Sequence, residues 1–164
     1  MRRHTVLDSP VGPLVAVEDD GALVRLGPDP SPDPVVVGVR DDDALPALRS
    51  QLGAYWQGEL RTFDLPMRAP GTPFQQRVWQ ALCTIPFGET WSYARLADEI
   101  GRPSAVRAVG AANGRNPIFL VVPCHRVVGS SGKLVGYAGG LDMKRTLLDH
   151  ERAALWSAPP AVEG

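Results

Sequence analysis

The first 28 residues alternate short apolar runs with turn signals. HTVL, PLVAV and ALVRL are the apolar runs, and Pro-Val-Gly-Pro and Asp-Asp-Gly separate them. Short runs that contain β-branched residues and lie between such breaks are typical of strands joined by hairpins. This segment therefore predicts two or three strands with tight turns.

Residues 28–43, PDPSPDPVVVGVRDDD, are rich in proline and aspartate and predict a surface loop around one short apolar piece. In the next segment Leu48, Leu52 and the pair Tyr55 and Trp56 recur at helical spacing, which predicts a helix. LRTFDLPM then predicts a further strand. The first half is interpreted as a small α/β unit that serves as a scaffold and carries no chemistry.

A Pro- and Gly-containing linker near residues 69–73 separates this unit from a more helical part. The predicted domains are an α/β scaffold over 1–70, a more helical domain over 71–155, and a tail over 156–164. FQQRVWQALCTI places Phe74, Val78, Leu82 and Ile85 on one helical stripe. Trp79 and Cys83 are interpreted as core residues of that helix.

SYARLADEIGRPSAVRAVGAANG predicts two short helices around a tight turn, the pattern of a helix-turn-helix. Ser92 can cap the first helix, and Gly101 with Pro103 can end it. Its apolar face contains Tyr93, Leu96, Ala97 and Ile100.

Ser104 can cap the second helix, with Val106 and Val109 facing inward and Arg107 facing outward. The remaining positions of that helix are small residues, which let its backbone approach a neighbour closely. Such a face suits either packing within the protein or contact with DNA, and many helix pairs of this kind bind no nucleic acid.

IFLVVPCHRVVG places Cys124 and His125 after an apolar run that stops at Pro123. The valines on both sides predict an extended segment, although proline cannot donate within a regular central strand. In a strand the cysteine and histidine point to opposite faces. They cooperate only if the chain bends at Pro123–Cys124 or a relay joins them; otherwise they are simple neighbours.

Met143, Leu147 and Glu151 recur every four positions, which places Glu151 on the inward stripe of the last helix. A carboxylate near a core needs a partner, and a histidine that is oriented and held protonated is the natural one. Cys124, His125 and Glu151 are therefore a candidate relay, unless Glu151 lies at a solvated helix end. The Gly-rich loop GSSGKLVGYAGGLDMK, with Ser130, Ser131 and Lys133, suits phosphate contacts or a pocket wall.

Composition adds limits to this picture. The 164 residues are 44% hydrophobic and 21% charged, which is typical of a globular protein. No apolar run reaches the roughly 20 residues of a membrane helix, and the N-terminus does not resemble a secretory signal. The two cysteines and three histidines show no zinc-ligand spacing, so no metal site is expected. With only two cysteines and no secretory signal, we expect a cytoplasmic location and no disulfide.

The net charge of −1 hides an uneven distribution of acidic and basic residues along the chain. Residues 1–70 carry 7 basic and 11 acidic side chains, whereas residues 91–152 carry 9 basic and 5 acidic ones. A basic half indicates a polyanion partner, although chance segregation gives the same pattern.

Four motifs in this order, FGETWSYARLA, RAVGAANGRNP, PCHRVVG and GYAGGLDMKRTLLDHE, resemble those of the O6-alkylguanine-DNA alkyltransferases. The resemblance is strong over residues 71–152 and loose over 1–70, where DSPVGPL is the familiar phrase. It implies an α/β N-terminal domain of ribonuclease H-like topology, followed by a mostly α C-terminal domain with a winged helix-turn-helix.

The resemblance also implies the activity. The family transfers the alkyl group from O6-alkylguanine in DNA, and with it O4-alkylthymine, to its own cysteine, irreversibly, once per molecule and without a cofactor. The implied partner is double-stranded DNA bound through the minor groove, with the damaged base flipped out. No membrane partner is expected. The protein is expected to be a monomer, and whether it binds cooperatively along DNA stays open.

Site roles follow from the motif matches. Cys124 is the acceptor, His125 takes the thiol proton through a water, and Glu151 orients His125. Asn116 ties the helix-turn-helix backbone to the active-site segment, Tyr93 protonates guanine N3, and Arg107 fills the gap left by the flipped base. The implied DNA contacts are Ser92, Tyr93, Ser104, Ala105, Arg107, Ser130 and Ser131, and the implied pocket residues are Val127, Tyr137, Ala138, Gly139 and Lys144.

The chain departs from some family members in two respects. Ala138 stands where some have a serine, which leaves only the backbone N–H to contact O6 and favours a roomy pocket that accepts alkyl groups larger than methyl. The zinc ligands that some members carry in the N-terminal domain are absent. The alternative functions are a non-catalytic lesion-binding relative, which would lack the acceptor cysteine, a winged-helix regulator, and a cysteine peptidase.

Overall fold

The computed structural model of the chain describes residues 1–157. At its N-terminus β1 (Arg2–Leu7), β2 (Leu14–Asp19) and β3 (Ala22–Gly27) form an antiparallel meander. Asp20 and Gly21, at φ of 51° and 86°, make the two-residue turn between β2 and β3, because this turn type needs positive φ at both positions. The predicted hairpins are confirmed.

Residues 28–43 contain more regular structure than the predicted loop. α1 (Pro34–Val37) begins at Asp33, whose side chain accepts a hydrogen bond from the backbone N–H of Val35. β4 (Val39–Arg40) then pairs parallel with β1, and the sheet order is β3-β2-β1-β4. Gly38 joins the two at a φ of 76°, where a Cβ would clash with the carbonyl oxygen of Arg2.

The helix predicted after residue 43 is present as α2 (Pro46–Trp56), and it buries Leu48, Leu52 and Tyr55. The strand predicted over residues 60–67 is wrong, because only an isolated bridge between Met67 and Leu23 is present there. The bridge uses the carbonyl oxygen of Pro66, which has no N–H to continue a ladder.

α3 (Pro73–Leu82) opens the second half with a capping box between Thr72 and Gln75. It buries Val78, Trp79 and Leu82, and the Trp79 indole donates to the carbonyl oxygen of Ala112 at 2.9 Å. Cys83 is exposed, so its prediction as a core residue is wrong: it is the C-cap of α3, where the chain leaves the buried stripe.

The two helices predicted around Gly101 are α4 (Tyr93–Glu99) and α5 (Val106–Gly114). Ser92 caps α4 by accepting from the backbone N–H of Arg95. The predicted cap of α5 is wrong, because Ala105 rather than Ser104 occupies that position and no side chain caps the helix. Val106 is 37% exposed at the open end of α5, so it does not face inward, whereas Val109, Ala112 and Asn113 do.

The segment around Pro123 is bent rather than extended on its N-terminal side. Cys124–Arg126 form a 3₁₀ turn, and only Val127–Val128 (β6) are extended, pairing parallel with β5 (Trp91–Ser92). The last helix is α6 (Leu141–Ser157). The predicted tail covers residues 156–164. The part of it that follows Ser157, where α6 ends, lies outside the described residues.

One apolar core runs through both halves of the molecule. It joins Leu14 and Leu26 of the sheet and Leu48 of α2 to Leu82 of α3 and Leu147 of α6. Within residues 1–157 no helix combines the length and the apolar character that crossing a membrane requires. The shared core places the 3₁₀ turn, α5 and α6 in fixed positions relative to α2.

Candidate active site

The 3₁₀ turn answers the geometric question that the sequence raised about Cys124 and His125. The chain bends at Pro123, whose carbonyl oxygen accepts from the backbone N–H of Arg126. Both side chains of the pair are buried: Cys124 is 3% exposed and His125 is 0% exposed. The extended geometry that separated them on opposite faces is therefore absent.

Glu151 lies behind this turn and accepts hydrogen bonds from several side chains. Its Oε2 accepts from His125 Nε2 at 2.8 Å, from the Tyr55 hydroxyl at 2.7 Å and from Arg126 Nη2 at 3.0 Å. Its Oε1 accepts from Arg126 Nε at 2.9 Å and from the Gly88 N–H at 3.1 Å. Glu151 is fully buried, so the alternative of a solvated helix end is wrong.

These contacts determine the charge of each group. Burial alone would raise the pKa of Glu151, but hydrogen bonds from His125 and Arg126, together with the charge of Arg126, outweigh it and hold that pKa far below its ordinary value. Burial lowers the pKa of His125 despite the neighbouring carboxylate. The expectation of a histidine held protonated is therefore wrong, and the resting imidazole is neutral at neutral pH.

The Cys124 thiol is also neutral at rest. Burial raises the pKa of Cys124 to about 11, and a hydrogen bond from Asn116 and the charge of Lys144 only partly oppose it. A neutral imidazole exerts little pull on the thiol, so the adjacent histidine does not create a standing thiolate. The thiol must lose its proton before it can act as a nucleophile.

Two residues of this cluster were missed in the sequence analysis. Arg126 follows directly after Cys-His, and a long cation inside an apolar run was itself a signal that a carboxylate lies opposite. Tyr55 lies 96 residues from Glu151 in the chain, and its helical spacing indicated burial but no partner. The interpretation of the first half as a scaffold without chemistry is thus incomplete.

A cavity of about 200 Å³ has Cys124 in its lining. Cys124 is therefore buried within the protein and still accessible from one side. The walls come from the start of α4, the small-residue face of α5 and the Gly-rich loop: Tyr93, Gly110, Asn113, Gly114, Phe119, Gly136, Tyr137 and Ala138.

Asn113 is a further wall residue that the sequence analysis did not identify. It is 5% exposed, and its Oδ1 has no hydrogen-bond partner among the described residues. A buried amide oxygen without a partner beside a cavity is suited to accept a hydrogen bond from a ligand. His125 Nδ1 is likewise buried without a protein partner in the described chain.

Asn116 connects the end of α5 to the active-site turn. Its Nδ2 donates to the carbonyl oxygens of Val122 at 2.8 Å and Ile118 at 3.2 Å, and its Oδ1 accepts from the Ile118 N–H at 3.0 Å. These three bonds hold the chain that leads into Pro123. Tyr93 spans the cavity mouth, where its hydroxyl donates to the carbonyl oxygen of Val135 at 3.4 Å.

Three of the expected pocket residues support the cavity without lining it. Lys144 is fully buried and donates to the carbonyl oxygens of Val135 at 2.9 Å and Gly136 at 3.3 Å, which anchors the Gly-rich loop. At Gly139 a Cβ would lie 2.6 Å from the sulfur of Met143, so a larger residue there would require that side chain to move. Val127 is buried in β6.

The expected DNA contacts lie on the protein surface beside the helices that form the cavity. Arg107, Ser104, Ser130 and Ser131 are exposed, and Ala105 is half-buried. Ser92 is half-buried and already uses its hydroxyl as the cap of α4. No cluster of three or more metal-ligating side chains occurs in the part of the chain that the structure describes.

Two family models match the chain. The 6-O-methylguanine DNA methyltransferase ribonuclease-like domain matches residues 2–69, and the DNA binding domain of the same protein matches residues 73–153. A methylated-DNA–protein-cysteine methyltransferase of Mycobacterium leprae is 51% identical over 148 residues, which are 89% of this chain and 90% of that protein.

Solved structures agree. The Mycobacterium tuberculosis O6-methylguanine methyltransferase is 47% identical and superposes with a TM-score of 0.89 over 99% of this chain and 97% of that one. The structure of Mycobacterium tuberculosis OGT in complex with DNA is 48% identical and superposes with a TM-score of 0.87 over 93% of this chain and 94% of that one. With both domains matched in order, and a cysteine set before a buried histidine and glutamate, the chain belongs to the 6-O-methylguanine DNA methyltransferase family.

Proposed function

We propose that this protein repairs alkylated DNA directly, by transferring the alkyl group from O6 of guanine to the sulfur of Cys124. The observation that carries the proposal is a cysteine at an accessible cavity, with a buried histidine–glutamate–arginine cluster behind it. That arrangement supplies a nucleophile, a base and a fixed counter-charge at one place.

The tautomer of His125 gives the proton its route. The Glu151 carboxylate can only accept, so His125 Nε2 carries the hydrogen of that bond and Nδ1 presents a lone pair. The Cys124 proton passes to Nδ1, through a water as the family resemblance implies. The imidazolium that forms is stabilised by the adjacent carboxylate, which Arg126 keeps ionised.

The transfer is a displacement at saturated carbon. The sulfur–carbon bond forms as the bond between that carbon and O6 breaks, and the electron pair goes to the guanine. Tyr93 donates a proton to N3 to neutralise the departing base. Burial raises the pKa of Tyr93, which keeps the phenol protonated until then. The product is a thioether on Cys124, which the described machinery does not reverse, so each molecule acts once.

DNA binding is assigned to the surface of α4 and α5, a winged helix-turn-helix. The exposed small residues of α5 let its backbone approach the minor groove, and Arg107 extends from it to fill the stack when the damaged nucleotide is flipped into the cavity. The net positive charge of residues 91–152 supports contact with phosphates.

The remaining parts of the proposal are finer. The same cavity accepts O4-alkylthymine, and no cofactor takes part in the transfer. The protein acts as a monomer in the cytoplasm, where it associates with the nucleoid through DNA. The backbone carbonyls of Cys124 and Val127 read the guanine amino group. The N-terminal domain over 1–70 and the C-terminal domain over 71–155 act together.

Intact mass spectrometry after incubation with a methylated duplex oligonucleotide tests the main claim. The protein should gain one methyl group, Cys124→Ser should gain none, and Cys83→Ser should gain one as the matched cysteine control. An unchanged mass of the wild-type protein, or a gain that survives Cys124→Ser, would contradict the proposal.

A further inference from the structure

Tyr55 lies in α2, in the half of the molecule opposite the active-site turn, yet its side chain ends at the catalytic cluster. It is fully buried, and its hydroxyl donates to Glu151 Oε2 at 2.7 Å. The ring is held by Phe63 and Phe87, with centroids at 5.6 Å and 5.9 Å, and by the His150 ring at 4.9 Å. The packing of the ring therefore fixes the position of the hydroxyl next to Glu151.

Glu151 Oε2 is the oxygen that also accepts from His125 Nε2 and from Arg126 Nη2. Each donor to this oxygen stabilises part of its negative charge, so less of that charge is available to the other donors. Removing the Tyr55 hydroxyl leaves fewer donors to stabilise the negative charge on Glu151 Oε2. The hydrogen bond to His125 then strengthens, and the charged imidazole becomes more favourable.

We infer that Tyr55 is a positioning residue for the alkyl transfer: from the N-terminal domain it fixes the Glu151 carboxylate and limits how strongly that carboxylate favours a protonated His125. The inference rests on the proposed function, because it assigns a role within the same site. It makes α2 a part of the reaction machinery.

The other charged and titratable groups around this carboxylate come from three elements. Arg126 faces it from the 3₁₀ turn, Lys144 lies on α6 with it, and Tyr137 lies on the Gly-rich loop, between the influence of Glu151 and that of Cys124. His150 is directed elsewhere, since its Nε2 bonds the backbone oxygen of Tyr55 at 2.8 Å. Burial and the charge of Glu151 raise the pKa of Tyr55 well above its ordinary value, so its hydroxyl donates throughout any assay range.

Tyr55→Phe tests the role because it removes only the hydroxyl. The reaction needs a neutral His125, so the transfer rate falls on the acidic side as that imidazole protonates. In the variant the acidic limb of the single-turnover rate profile should move upward by about 0.5 to 1 pH unit, since the net contribution of a typical protein hydrogen bond is about that large. At a pH on that limb this is roughly a threefold to tenfold slower transfer.

Phe63→Leu is the matched control, because it changes one neighbour of the Tyr55 ring and keeps the hydroxyl, while Phe87 and His150 still pack against the ring. It should lower the melting temperature without moving the acidic limb. If Tyr55→Phe left the limb where the wild type has it, or if Phe63→Leu moved it equally, Tyr55 would be structural only and the inference would be overturned.

A second substitution covers the case in which Tyr55→Phe does not fold. Site-specific 3-fluorotyrosine at position 55 keeps the ring and makes the hydroxyl a stronger donor, so the limb should move downward; an upward or absent shift would overturn the inference. Titration of the His125 imidazole by NMR gives the same two signs without any substrate. Methyl gain on Cys124 reports the proposed function separately, so failure of one is distinguishable from failure of the other.

Discussion

Arg126→Met removes the cation that is paired with Glu151 while keeping a side chain of similar length. The guanidinium makes two bonds to the carboxylate, at 2.9 Å and 3.0 Å, and a third to the carbonyl oxygen of Ile85 at 2.7 Å. Both partners are buried, so the substitution leaves Glu151 as a desolvated charge with fewer donors.

The magnitude follows from that burial. Removing one partner of a buried ion pair destabilises a protein by about 3 to 5 kcal/mol. Tyr55, His125 and the Gly88 N–H still hold the carboxylate, which places the expected loss near the lower end, at about 3 kcal/mol. For a domain of this size that corresponds to a melting temperature lower by roughly 6 to 12 °C.

Urea denaturation and differential scanning calorimetry at pH 7 measure this loss. Arg145→Met, which removes an exposed arginine of α6, is the matched control and should change stability by less than about 0.5 kcal/mol. Adding Glu151→Gln to Arg126→Met should recover part of the loss, because the buried charge is then gone. A loss below about 1 kcal/mol, or no recovery in the double variant, would refute the reasoning that an unpaired buried carboxylate is the cause.

Three further predictions concern activity and pH. Arg107→Ala should slow repair in duplex DNA about tenfold or more while barely changing reaction with the free base, whereas the exposed Arg102→Ala should change neither; equal losses on both substrates would remove the stacking role. Benzylguanine should inactivate the protein, because the cavity beside Ala138 holds about 200 Å³, and complete refusal of benzyl in a competition assay would contradict that. The lowered pKa of Glu151 contributes stability that is present above the ordinary carboxyl pKa and is lost as pH falls through the folded value; acid titration by circular dichroism should therefore show a smaller loss below pH ~4 in Glu151→Gln than in the wild type.

Local patterns predicted the elements that depend on near neighbours. The hairpins at Asp20–Gly21, helix α2 and the Ser92 cap of α4 follow from turn chemistry, periodicity and side-chain caps that act within a few residues. The strand predicted at 60–67 failed because its apolar spacing looked like a strand, while Pro66 and the neighbouring sheet allowed only a bridge. The cap of α5 failed because the turn before it closes at Ala105 rather than Ser104.

By itself the sequence identified Cys124, His125 and Glu151 as a candidate relay, because the cysteine and the histidine are visible in a motif and the inward glutamate in helical spacing. Only the tertiary structure decided their charge states and partners. Burial of the 3₁₀ turn makes the thiol and imidazole neutral, and the shared core brings Tyr55 and Arg126 to Glu151. Desolvation and contacts between distant residues depend on how the whole chain packs, so no local pattern contains them.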